Sequence, residues 1–351
     1  MLKDMSREEL DNFAESIING QKLSDDNLRN LLNIEDDENL EKLYSVARAI
    51  RDHNFGNKVF LYSFVYFSTY CKNNCAFCYY NCKNDIDRYR LTPDEIEKVC
   101  EALKDDPIHM VDLTMGEDPY YHNHPERLVE AVRRVKEIVG LPIMVSPGVV
   151  ENDVLEELRE NGADFLALYQ ETYDPELYAK LRVGQSYKKR IDCRNHARKT
   201  GMCIEDGILT EVEPDNESTF KSLRGLENTN PDMVRVMTFV PQEGTPLEEK
   251  VPGSSKSELK IIAILRLMFP DRLIPASLDL EGIDGMVHRL NAGANVVTSI
   301  IPSGSSLEGV VNYDRDLAER DRDAHSVVKR LESMGMEPAK QEDFNMILMS
   351  R

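Results

Sequence analysis

From residue 59 onward the chain alternates short apolar or β-branched runs with longer amphipathic stretches, the pattern of repeated strand–helix units on a parallel sheet. Eight runs predict strands, at 59–67, 110–114, 143–146, 165–169, 203–209, 233–238, 274–278 and 295–299. Helical spacing marks 93–103, 125–139, 153–160, 187–199, 257–268 and 282–291, and a further stretch, 314–334, follows the last strand. Three short helices precede the first strand. Ser6-Arg-Glu-Glu9 is a capping box, Ser24 opens the second helix, and residues 38–51 set Leu40, Leu43, Ala47 and Ile50 on one face of the third. They are expected to close one end of the strand–helix array, as packing without chemistry. Eight units over this length predict an α/β fold, a (β/α)8 TIM-type barrel over 55–351 with an N-terminal helical extension over 1–54. A doubly wound open sheet is the alternative.

Composition narrows the partners. The 351 residues carry a formal net charge of -20, which repels nucleic acid and anionic membrane surfaces. No apolar run is long enough to span a bilayer, and the first fifteen residues are charged where a signal peptide is apolar. A cytoplasmic protein acting on a small molecule is expected. Seven cysteines, three of them clustered, argue for ligand thiols in a reducing compartment over a disulfide framework.

The cluster is Cys71-Lys-Asn-Asn-Cys75-Ala-Phe77-Cys78, a C-x3-C-x2-C triplet directly after the first strand. Three thiolates on one loop can hold one face of a four-iron cube and leave one iron open to another molecule. The alternative is a structural zinc site, which wants a fourth ligand, and Cys82 is the near candidate. Cys100, Cys193 and Cys203 sit in periodic apolar settings and read as core. His122 and His124 could bind a metal or be solvated loop side chains.

Charged residues also recur inside or at the ends of the apolar strands: Asp112 in Met-Val-Asp-Leu-Thr, Arg235 in Met-Val-Arg-Val-Met, and Asp279 after Ser277-Leu. In a barrel, active sites lie at the carboxyl ends of the strands. The set fits an internal ion-pair network. It fits equally a zwitterionic amino acid with a second amine, Arg235 taking the carboxylate, Asp112 and Asp279 the ammonium groups, and Ser277 adding a hydrogen bond. Ser146, in Ser-Pro-Gly148, ends the third strand in a turn able to present its hydroxyl to a ligand.

With an aromatic, Phe77, before the third cysteine, the triplet resembles the signature of radical S-adenosylmethionine enzymes. Nearly the whole chain is similar to the methylornithine synthases, the lysine mutases of pyrrolysine biosynthesis. The resemblance implies a [4Fe-4S] cluster on Cys71, Cys75 and Cys78 and S-adenosylmethionine chelated at its open iron. It implies a one-electron donor such as flavodoxin or ferredoxin, and a 5′-deoxyadenosyl radical that takes hydrogen from L-lysine. Fragmentation and recombination then give (3R)-3-methyl-D-ornithine, without a general acid or base. It places Asp112, Arg235, Ser277 and Asp279, with Thr298 and Ser299, around the lysine-derived ligand. Thr114-Met115-Gly116-Glu117-Asp118 resembles the family's glycine-glutamate motif, with Met115 where a second Gly often stands, and so implies that main-chain acceptors here hold the methionyl amino group. Ser146 is implied on the cofactor carboxylate, Glu171 on the ribose hydroxyls, and Arg190, assisted by Arg182, on the methionyl carboxylate; a solvated helix face is the alternative for Arg182. The turn-rich loop 239–246 resembles the adenine-side loop. The rivals are a biotin synthase-like or hydrogenase-maturation-like enzyme acting on another small substrate, and a zinc-bound scaffolding barrel without catalysis.

Overall fold

Eight parallel strands form the centre of the molecule: β1 (Lys58–Ser68), β2 (Met110–Met115), β3 (Ile143–Ser146), β4 (Ala163–Ala167), β5 (Cys203–Thr210), β6 (Met233–Thr238), β7 (Pro275–Ser277) and β8 (Val296–Ile300). The computed structural model describes residue 2 and residues 5–302 and 322–350. The strands pair in the order β6-β5-β4-β3-β2-β1-β8-β7. One bridge brings β6 next to β7: Val234 N donates to Leu273 O at 2.9 Å and Leu273 N to Asp232 O at 3.2 Å. The sheet thus curls round almost fully into the expected (β/α)8 barrel, and the open-sheet alternative is set aside.

The alternation of each strand explains why the barrel has an apolar end and a polar end. Phe60, Met110, Met144, Phe165, Cys203, Met233 and Val296 pack together as one apolar cluster. Two residues further along their strands lie Tyr62, Asp112, Ser146, Ala167, Glu205, Arg235 and Thr298, on the same inward face. The registers hold these levels between β3 and β4 (Met144 opposite Phe165) and between β4 and β5 (Ala167 opposite Glu205), and step by two residues between β2 and β3, where Asp112 lies opposite Met144, and between β5 and β6, where Glu205 lies opposite Met233. One layer of apolar side chains therefore floors a polar layer that faces the carboxyl ends of the strands.

The fourth strand is displaced from 165–169 to Ala163–Ala167. Gln170 N leaves the ladder for Asp206 Oδ1 at 2.8 Å, and the chain rejoins β5 only at Glu171, which bridges Ile208 with a left-handed φ of 68°. Helices Pro175–Leu181, Asn216–Thr229 and Gln341–Met349 were not anticipated; the first two start on the side-chain caps Asp174 and Asp215. Of the predicted 314–334 helix, Ala324–Ser333 is helical, and 314–321 lies outside the described residues.

The three N-terminal helices, α1 (Arg7–Ile18), α2 (Asp25–Leu32) and α3 (Asp37–Phe55), lie against the outside of the barrel helices and share their core. Arg29 pairs with Glu217 at 2.8 Å, and Arg51 donates to Leu290 O at 2.5 Å. The expectation that they close one end is corrected: the apolar end is covered by Phe344 of the C-terminal helix, and α3 contributes only Phe55 at its rim. No helix among the described residues is long and apolar enough to cross a membrane.

Candidate active site

A cavity of about 320 Å³ opens at the carboxyl ends of the strands. Its wall holds Cys71, Cys75, Cys78, Gly116, Glu117, Ser146, Glu171, Arg182 and Arg190, and its floor Asp112, Arg235, Ser277, Asp279 and Ser299. Every residue expected at the site is there except Thr298. Thr298 is fully buried beneath the cavity, its Oγ1 3.4 Å from Arg235 Nη1, and so touches the site only through Arg235.

The thiol loop is held from three sides. Asn74–Cys75 pairs antiparallel with Arg182–Val183, and Ala76 N donates to Leu181 O at 2.8 Å. Gln185 Nε2 approaches Cys75 Sγ at 3.0 Å. Below, Lys72 N donates to Glu117 O at 3.0 Å. Gly116 lies so close that a Cβ there would meet Tyr70 O at 2.4 Å and Cys71 Cβ at 2.8 Å, so this position admits only hydrogen. Burial pushes the Cys78 thiol up to about 12 and raises Cys71 as well.

Two guanidinium groups lie out of solvent in the same wall, Arg182 with its Nη1 3.8 Å from Cys75 Sγ, which sets aside a solvated face for Arg182. Arg182 Nη2 donates to Glu171 Oε1 at 2.5 Å. Arg190 Nε donates to Tyr169 O at 2.6 Å, while its buried Nη1 has no hydrogen-bond partner and stands 3.9 Å from Glu117 Oε1. Burial, then the charge of Arg182, draws Arg190 down to about 10. Burial works to raise Glu117, but Arg190, His122, the Val149 amide and Lys72 outweigh it and leave the carboxylate below its usual range.

The floor is a network of opposite charges. Arg235 donates from Nε to Glu205 Oε1 at 2.7 Å and from Nη2 to the Tyr62 hydroxyl, and Tyr169 OH donates to Glu205 Oε2 at 3.0 Å. Asp112 accepts from Ser146 Oγ at 3.0 Å, and burial followed by the Glu205 charge pushes it up to about 7. Asp279 accepts from Ser277 Oγ at 2.7 Å, Ser299 Oγ at 2.5 Å and Arg322 Nη2 at 2.8 Å. Burial would raise it, but Arg322 and the two hydroxyls hold it below the usual carboxylate range.

Residues 65–211 match the radical SAM superfamily. The chain is 67% identical over 348 residues to 3-methylornithine synthase of Methanosarcina acetivorans, covering 99% of each chain. It belongs to the 3-methylornithine synthase family. A crystal structure of methylornithine synthase superposes with a TM-score of 0.93 at 65% identity, covering 95% of this chain and 99% of that one. The [FeFe] hydrogenase maturase subunit HydE of Thermotoga maritima is 30% identical over 274 residues, 77% of this chain and 78% of that protein.

Radical SAM enzymes such as the methylornithine synthases use a [4Fe-4S] cluster and S-adenosylmethionine, and the cavity fits both. Three thiols of one loop face it, and the main chain at Gly116 leaves no room for a side chain beside them. The buried Arg190 Nη1 and Arg182 Nε lack acceptors, a deficit that an anionic ligand would fill. A closed zinc shell would need a fourth ligand beside the three thiols. Cys82 is exposed, and His122 is occupied by Lys72 Nζ at 3.1 Å and Pro147 O at 2.8 Å.

Two site residues escaped the sequence reading. Glu205 is followed by Asp206 within the predicted 203–209 strand, and two acids in succession do not stand out as a single charge in an apolar run does. Alternation separates them, Glu205 turning inward to Arg235 and Asp206 outward, 3.4 Å from Arg194 Nε. Arg322 follows the last strand at a distance in sequence that no periodic pattern links to Asp279.

Proposed function

We infer that the protein converts L-lysine into (3R)-3-methyl-D-ornithine, as a radical S-adenosylmethionine mutase in the first step of pyrrolysine biosynthesis. The observation that carries this reading is the floor of the cavity, where a cation, Arg235, and two carboxylates, Asp112 and Asp279, line the same space as the three thiols. An α-amino acid with a second amine presents one anion and two cations, which complements that set of charges.

Cys71, Cys75 and Cys78 would hold the cluster, and Gly116, Glu117, Ser146, Glu171 and Arg190 the S-adenosylmethionine, with Arg182 fixing Glu171. When bound, these groups supply a 5′-deoxyadenosyl radical able to take a hydrogen atom from an unactivated carbon. The chain's own work is binding, orientation and exclusion of water. Arg235 directs its remaining N–H groups to the substrate carboxylate. Asp112 and Asp279 take the ammonium groups, and Ser277 and Ser299 aim Asp279. Thr298 steadies Arg235 from below. Held at both ends, the substrate keeps its fragments in register when the carbon skeleton parts and rejoins. No side chain has to move a proton.

The electron comes from a donor protein such as flavodoxin or ferredoxin in the cytoplasm. Residues 1–54 form a packing extension to a barrel domain at 55–351.

Anaerobic reconstitution with iron and sulfide tests this assignment. A brown protein that reductively cleaves S-adenosylmethionine is expected; a colourless protein that takes up one zinc ion per chain and leaves S-adenosylmethionine intact would refute it.

A further inference from the structure

A cluster that starts radical chemistry must be charged with one electron from outside the cavity. Transfer rates fall steeply with distance, so a carrier has to bring its own redox centre against the outer side of the thiol loop. That side is unlike the rest of the surface. Among the described residues six large apolar side chains are exposed, Tyr70, Tyr120, Val183, Val251, Met346 and Met349. Tyr70 adjoins Cys71, and Val183 pairs with Asn74 on the loop itself. Tyr120 is joined to Tyr70 through Arg90, whose guanidinium lies 4.5 Å from the Tyr70 ring and 4.6 Å from the Tyr120 ring. Arg127 covers Tyr120 at 4.1 Å. The result is a ladder of alternating cations and rings that starts beside a thiol.

Arg90 is fixed by two bonds to the buried Asp118, at 2.6 and 2.7 Å, so the ladder is preorganised. Lys72, half-exposed and next to Cys71 in the chain, pairs with the buried Glu117 at 3.4 Å, so the face carries three cations, Lys72, Arg90 and Arg127, against the two buried acids Glu117 and Asp118. On a chain of net charge -20, an acidic partner is repelled over most of the surface and attracted only where cations outnumber acids. Exposed aromatics and arginines are also the side chains that proteins favour at interfaces.

We propose that the face built from Tyr70, Lys72, Arg90, Tyr120, Arg127 and Val183 docks an acidic one-electron carrier protein that reduces the cluster. This rests on the radical-enzyme reading above. One electron leaves the carrier, which is oxidised by one electron, and enters the cluster, which is reduced by one; no bond is made or broken.

The test uses the anaerobically reconstituted protein, with reduced flavodoxin as the probe and dithionite as a small-molecule control, following cluster bleaching by stopped-flow absorbance. Arg127→Glu and Tyr120→Ala should each lower the second-order rate constant with flavodoxin by about tenfold or more, and added salt should erase the Arg127→Glu difference. The dithionite rate should stay that of the wild type. Lys104→Glu, the same charge change on an exposed residue before β2 at the apolar end of the barrel, should leave the flavodoxin rate unchanged. Binding of oxidised flavodoxin, measured by calorimetry, should weaken in the same two variants. Unaltered flavodoxin rates, an equal effect of Lys104→Glu, or a parallel loss with dithionite would each overturn the docking face. A wild-type protein whose cluster dithionite cannot reduce would instead count against the radical-enzyme reading itself.

Discussion

Glu205 and Arg235 meet across the adjacent strands β5 and β6, Oε1 to Nε at 2.7 Å, with both side chains out of solvent at the floor of the cavity. The pair orients the one cation that faces the proposed substrate carboxylate. Removing one partner of a buried pair leaves the other charge uncompensated. Glu205→Ala should therefore cost about 3–5 kcal/mol of stability in urea unfolding. The milder Glu205→Gln should keep the fold and weaken lysine binding by calorimetry, because Arg235 loses the group that aims it.

Asp112 gives a pH signature. Its folded pKa of about 7 stands above the ordinary value of 3.8, so over that window the folded protein holds a proton that the unfolded chain has released. Stability from this group is then greatest at low pH and declines as pH rises towards about 7. Asp112→Asn should flatten that part of the stability profile. A substrate ammonium beside Asp112 would favour its charged form, so lysine binding near pH 6 should release a proton, read as a buffer-dependent heat that Asp112→Asn abolishes.

Arg190 carries a buried N–H without an acceptor, and a hydrogen bond to a charged group contributes about 1.5–3 kcal/mol. Arg190→Met should weaken S-adenosylmethionine binding on the order of 10- to 100-fold by equilibrium dialysis. Iron content after reconstitution should match the wild type, which separates this role from one in holding the cluster.

Gly116→Ala probes the contact between the segment after β2 and the thiol loop. The added methyl would lie 2.4 Å from Tyr70 O, main chain that can retreat only by moving Cys71. Iron retained per chain after desalting should fall well below wild type, while far-ultraviolet circular dichroism stays unchanged.

The barrel was readable because each strand is a short apolar run and each helix has a long amphipathic period, so periodicity alone separates them. Asp112, Arg235 and Asp279 stood out because an isolated charge within or at the end of an apolar run is costly unless it has a partner. That reasoning cannot name the partner. Arg235 turned out to be held by Glu205 and Asp279 by Arg322, so the internal network and the ligand site are the same set of residues. Strand alternation also predicts that of Thr298 and Ser299 only one faces the cavity on the same side. Thr298 follows the rule, pointing inward below Arg235, while Ser299 takes a left-handed φ of 65° that carries its hydroxyl to Asp279. Such backbone departures leave no mark in hydrophobic periodicity. The C-terminal helix was missed for another reason: it buries essentially one side chain, Phe344, and shows no broad apolar stripe.

The central claim is that the set of charges on the floor, Arg235 with Asp112 and Asp279, selects lysine for skeletal rearrangement. Mass spectrometry and carbon NMR of the products formed anaerobically from uniformly ¹³C-labelled L-lysine, S-adenosylmethionine and reductant test it most directly. The expected result is labelled 3-methylornithine, isomeric with lysine and retaining all its label, formed by the wild type and lost in Arg235→Met and Asp279→Asn variants that still bind the cluster. Cleavage of S-adenosylmethionine with lysine recovered unchanged, or undiminished product from either variant, would contradict it.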